Sequence, residues 1–209
     1  MQNSTSKVRV LTGTAMLGAV AAVLMYLEFP IPIMPAFVKL DVSELPALIA
    51  SFAYGPVSGI LVCLIKNLIK LPSTSTAAPH RVRLRSTAAV GELFNFVMGA
   101  LFVGVAGLIY KRNKTRKGAI VGALLGALVM AVVSVPYNYF IVYPAYVVMY
   151  HLPLDAIIGM YQAINPNVNG LLACLLVFNL PFTFVKGALD AVLCFLVYKP
   201  LSPILHGRK

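Results

Sequence analysis

The sequence predicts an all-α integral membrane protein with six transmembrane helices and both termini on the cytoplasmic side. Three observations predict it. Of 209 residues, 60% are hydrophobic and 11% charged, with a mean hydropathy of +0.88. Soluble domains average about 45–50% apolar and about 25% charged residues, so a soluble fold of this size would leave much apolar surface in water. The apolar residues run in long stretches such as Gly118 to Val135; a β-barrel would alternate apolar and polar positions. Basic residues cluster between the stretches, as cytoplasmic loops require. A net charge of +11 in a soluble chain would suggest nucleic acid, but no basic stripe interleaved with aromatics occurs, so no nucleic-acid partner is expected. Cys63, Cys174 and Cys194 sit inside apolar runs without metal-ligand spacing and are expected to be small buried hydrophobes.

One domain, residues 1–209, is expected, with helices at about 10–29, 45–54, 56–71, 90–110, 118–141 and 171–198. The first run is long enough to span and ends where Pro30, Pro32 and Pro35 force an ordered loop. The stretch 45–71 is too long for one simple span and is broken at Tyr54-Gly55-Pro56. Residues 72–88 read as polar and irregular. The loop Lys111–Lys117 is the densest basic cluster in the chain. Pro136 is expected to bend the fifth span, residues 143–169 to form a mixed loop with an interfacial helix, and Pro181 to lie inside the last span.

Charge decides the ambiguous stretch. If 45–71 forms two helices, ten positive charges fall on the N-terminal side: Lys7, Arg9, the five of 111–117, Lys199, Arg208 and Lys209. With one helix there, the cluster at 111–117 would lie outside. The positive-inside tendency therefore favours six spans. The tetrapeptide Ser-Thr-Ala-Ala occurs at 75–78 and again at 86–89, which reads as an inserted segment around 78–88, tolerated at a loop tip.

Polar residues inside membrane helices are costly. Asn179, Thr183, Lys186 and Asp190 fall at steps of 4, 3 and 4 on one helical face. They read either as a polar wall with Lys186 donating to a ligand or as a Lys186–Asp190 pair that neutralises itself. Glu92, Asn95 and Gly99 form a second stripe, although Glu92 could merely charge a helix N-terminus. Asn138 offers a donor and an acceptor suited to an amide or imide edge. Tyr137, Tyr139, Tyr143 and Tyr146 read as an interfacial aromatic belt. Ala15 and Ala19 lie four apart on the first helix, a spacing that lets another helix approach closely. No catalytic set, metal-ligand spacing or phosphate-binding loop occurs, so neither enzyme activity nor a bound metal is expected.

Several strings together resemble the riboflavin-specific S components of energy-coupling factor (ECF) transporters. They are Glu28-Phe-Pro-Ile-Pro32, Lys39-Leu-Asp-Val-Ser-Glu-Leu-Pro46, Tyr54-Gly-Pro56, Lys66-Asn67, Pro72-Ser-Thr-Ser-Thr76, Gly91-Glu-Leu-Phe-Asn95, Tyr137-Asn-Tyr139, Pro181-Phe-Thr-Phe-Val-Lys-Gly187 and Tyr198-Lys-Pro-Leu-Ser-Pro203. The resemblance implies a six-helix S-component bundle in the cell membrane of a prokaryote, with no cofactor. Riboflavin, or flavin mononucleotide, is then the cargo captured at the outer face. The implied partners are a transmembrane T component, on which Ala15 and Ala19 slide, and two ATPase subunits. The implied ligand contacts are Lys39, Leu40, Asp41, Glu92, Asn95, Asn138, Thr183 and Lys186, with threonine at 183 where many relatives carry asparagine. The residues alone leave open the same architecture for thiamine or biotin, and a membrane assembly protein that transports nothing.

Overall fold

The computed structural model describes residues 2–35, 38–71, 81–150 and 153–206. Helix α1 is Gln2–Tyr26, α2 Glu44–Tyr54, α3 Pro56–Lys70, α4 Arg81–Arg112 and α5 Arg116–Tyr137. A π-helical turn, π1 (Asn138–Val142), carries α5 into α6 (Tyr143–Tyr150), and α7 is Leu154–Gln162. Helix α8 (Leu171–Cys174), a second π turn π2 (Leu175–Asn179) and α9 (Leu180–His206) follow one another without a break. Strands β1 (Phe29–Pro30) and β2 (Lys39–Leu40) pair antiparallel, Phe29 opposite Leu40, and close the first loop at its base.

Among the described residues, four stretches are long and apolar enough to cross a membrane: Lys7–Tyr26, Val90–Arg112, Arg116–Val148 and Leu171–Tyr198. Their outer faces carry exposed Leu11, Met16, Val20, Val132 and Leu196, the surface that lipid covers. Helices α2 and α3 have 11 and 15 residues. At 1.5 Å per residue they reach about 16 and about 22 Å, short of the ~30 Å hydrocarbon core. The break between them is chemical. Gly55 has φ +109°, which a side chain would oppose, and Pro56 opens α3 where a missing N–H costs nothing. Helix α2 is buried along most of its length and packs against α1, α3, α4 and α9.

Two boundaries differ from the sequence reading. Helix α4 begins at Arg81, because no glycine or proline interrupts the chain before Gly91. The proposed insertion lies outside the described residues up to position 80, and from Arg81 its backbone continues α4. The fifth span runs to Val148 instead of ending near 141. Each π turn is followed two residues later by a proline, Pro144 after π1 and Pro181 after π2. A helical proline loses its own hydrogen bond and crowds the carbonyl four residues back; here those carbonyls belong to Phe140 and Val177, inside the widened turns. Within 143–169 the structure forms two helices, α6 and α7.

The two ends of the bundle differ in character. Thr115 caps α5, its hydroxyl accepting from Gly118 N at 3.0 Å, and sets the basic loop against the end of α4. The α2–α3 turn lies at that same end: Phe52 packs edge-on against Tyr110 at 5.0 Å, and Gly13 of α1 abuts the Tyr54 ring. Phe52 also stacks on Phe195 of α9 at 6.2 Å. At the opposite end α1 finishes, α2 starts and α5 passes into π1. All three cysteines are free and buried, as the sequence predicts.

Candidate functional site

At the end remote from the basic loop the helices enclose a cavity of about 370 Å³. Its walls include Lys39, Asp41, Glu92, Asn95, Asn138, Thr183 and Lys186. The structure thus brings together seven of the eight residues that the resemblance indicates. Leu40 is not among the lining residues and holds β2 opposite Phe29. Apolar surface comes from Met25, Phe94, Met98, Met130 and Phe182.

Local sequence explains how the polar groups get there. Asp41 accepts a hydrogen bond from Ser43 N at 2.9 Å and another from the Ser43 hydroxyl, a turn that delivers the chain into α2. Glu44 follows in the first turn. Lys66 of α3 is fully buried and donates to Glu44 Oε1 at 2.7 Å and Ser43 Oγ at 2.5 Å. Lys186 of α9 donates to Asp41 Oδ2 at 2.9 Å and lies 3.1 Å from Glu44 Oε2. Two carboxylates and two lysines therefore tie the first loop, α2, α3 and α9 into one buried knot.

The alternative Lys186–Asp190 pair does not form; Lys186 pairs with Asp41 and Glu44 instead. Helical side chains lean toward the N-terminus, so Lys186 reaches back to the start of α2, away from the residue one turn ahead. Asp190 is fully buried with no hydrogen-bond partner on either carboxylate oxygen. The helix-terminus explanation of Glu92 also falls, because α4 begins eleven residues earlier, at Arg81. Glu92 Oε2 and Asn95 Oδ1 are buried and lack hydrogen-bond partners. Such acceptors are costly unless something donates to them.

The tyrosines divide. Tyr139 faces outward, and Tyr137 packs on Phe94 with ring centroids 5.5 Å apart. Tyr143 and Tyr146 line the cavity and so depart from the belt. Sequence reasoning also missed Glu28 and Lys70. Glu28 bridges Lys39 at 2.6 Å and Lys70 at 2.7 Å beside the cavity. Burial pushes the Glu28 carboxyl up, but hydrogen bonds and charge from Lys39 and Lys70 outweigh it and hold the group below its usual range.

Burial likewise raises Asp41, and the charges of Lys186 and Lys66 with the Ser43 hydrogen bond more than reverse this. Because the folded value is lowered, the contribution is complete above the unfolded value, about 3.9, and is lost as pH falls through the folded value. Asp41→Asn is therefore expected to cost about 1.5–3 kcal/mol between pH 5 and pH 7. The gap to the wild type should narrow only below about pH 4. Thermal unfolding in detergent across that range checks it; a gap that vanished by pH 6 would count against the clasp.

A helical membrane bundle that keeps a polar-walled chamber at one end is built to hold a small molecule. The comparisons give the particular family. Residues 9–198 match the family described as the substrate-specific component of ECF transporters, and the chain belongs to that family. It is 33% identical over 191 residues to the riboflavin transporter RibU of Staphylococcus aureus (strain TCH60), covering 91% of this chain and 89% of that one. It is 33% identical over 203 residues to the riboflavin transporter FmnP of Bacillus subtilis (strain 168), covering 97% of each. A solved S component of a bacterial ECF transporter superposes with a TM-score of 0.70 at 31% identity, covering 98% of this chain and 99% of that one.

Proposed function

We propose that this S component captures riboflavin in the cavity at the outer face of a prokaryotic cell membrane, for delivery inward with a T component and two ATPase subunits. Six spans with both termini cytoplasmic fit this reading. Lys7, Arg9 and the loop 111–117 sit at the end opposite the cavity, and basic ends stay inside. The short α2 and α3 then serve as the second and third spans. The flavin is cargo, with no separate cofactor, and thiamine and biotin are the less favoured alternatives.

The observation that carries the reading is the pair of orphaned acceptors, Glu92 Oε2 and Asn95 Oδ1, in a chamber with methionine and phenylalanine walls. A polyol chain supplies hydroxyl donors to such acceptors, and a flat ring system covers apolar walls. The volume of about 370 Å³ suits one small organic molecule. Lys39 and Lys70 beside the cavity favour flavin mononucleotide as a second cargo, since a terminal phosphate would compete with Glu28 for them. Ala15 and Ala19 are exposed on α1, while Thr14 and Gly18 turn inward. This leaves an open small-residue face for a partner helix.

Glu92→Leu tests the assignment. Loss of an acceptor for hydroxyls is expected to weaken riboflavin by about 10–100-fold. Lumichrome, which keeps the ring and lacks the polyol, should bind both proteins within about twofold, because it makes no such bond. Equal loss for both ligands would refute the polyol assignment. Parallel titration of riboflavin and flavin mononucleotide, read by fluorescence quenching, ranks the two cargoes.

A further inference from the structure

Two buried asparagines mark the two π turns. Asn138 opens π1 and Asn179 closes π2, and both line the cavity. Single π turns inside membrane helices recur at functional sites. The two amides are held in opposite senses. Asn138 donates from Nδ2 to Ser134 O at 2.8 Å, so its acceptor end is the other one. Asn179 accepts at Oδ1 from the Tyr161 hydroxyl at 2.7 Å, so its donor end is the other one.

Tyr161 itself is fully buried on α7 and lies 2.6 Å from the Tyr143 hydroxyl. A carbonyl oxygen only accepts, and a hydroxyl carries one hydrogen. The Tyr161 hydrogen goes to Asn179, and the Tyr143 hydroxyl stands within hydrogen-bond reach of Tyr161. The Tyr161 hydroxyl thus holds the Asn179 amide from α7.

We propose that Asn179 is a specificity-determining residue of the cavity, donating from Nδ2 to a carbonyl oxygen of the bound molecule, and that Tyr161 is the positioning residue that fixes this donor from α7. With Asn138 offering an acceptor, the two π turns read a ligand edge that carries a carbonyl beside an N–H. This inference rests on the capture reading above.

The test uses riboflavin and the full chain in detergent, with affinity read by fluorescence quenching and the carbonyl stretching bands of the bound flavin read by infrared difference spectroscopy. Asn179→Leu is expected to weaken binding about tenfold or more and to move one carbonyl band to higher frequency. Tyr161→Phe removes a single oxygen and should weaken binding about threefold with a shift of the same band. It keeps the test decisive where leucine at 179 unfolds the protein. Variants that lose affinity while the bands stay in place would show a structural role only and overturn the assignment, as would variants that bind like the wild type. A folded wild-type protein that takes no flavin overturns the capture reading and this assignment with it; a wild type that binds alongside silent variants overturns this assignment alone.

Discussion

Lys66→Met is expected to lower the melting temperature by roughly 10 °C. Lys66 has no exposed surface, and its ammonium lies 2.7 Å from Glu44 and 2.5 Å from Ser43. Methionine matches the stem and removes the charge. Glu44 then keeps only Lys186, which Asp41 already shares. Breaking a buried pair by removing one partner costs about 3–5 kcal/mol, whereas replacing both partners by apolar groups is often close to neutral. The double variant Lys66→Met with Glu44→Leu should therefore recover part of the loss. Additive losses in thermal unfolding would mean that the two residues are not energetically coupled.

Lys186→Met is expected to have the largest effect on ligand capture, about 100-fold or more in riboflavin affinity. Lys186 stands on the cavity wall and also holds Asp41 at 2.9 Å, so it joins the first loop to α9. Its removal takes a donor from the chamber and leaves the Asp41 and Glu44 carboxylates beside the single charge of Lys66. Two losses add: a ligand contact and the fixed position of the loop that carries Lys39. A titration that returned the wild-type affinity would remove Lys186 from the site. The unliganded variant should also melt lower than the wild type, which separates the clasp from the ligand contact.

Much of the fold was legible because the punctuation is covalent. Gly55-Pro56 divides the stretch 45–71 as expected, and the length of each apolar run sets the helices around it. Seven of the eight residues that the resemblance indicates share the cavity, so the site was legible through the family's motifs. What escaped the sequence is long-range. Lys186 pairs with Asp41 across 145 positions, while helical spacing pointed to Asp190. The direction in which a helical side chain leans decides between them. The π turns escaped because the effect of a helical proline falls on the turn before it. The Tyr143–Tyr161–Asn179 chain joins three elements, and no local pattern announces it. Glu92 became explicable only when α4 proved to begin at Arg81.

The central claim is that the cavity takes a flavin, and the most direct measurement is a riboflavin titration of the purified full-length protein in detergent, followed by fluorescence quenching with thiamine and biotin as controls. The account predicts saturable quenching at one riboflavin per chain that neither control displaces. A folded protein that leaves riboflavin fluorescence unchanged, or that releases it to thiamine or biotin, would contradict it.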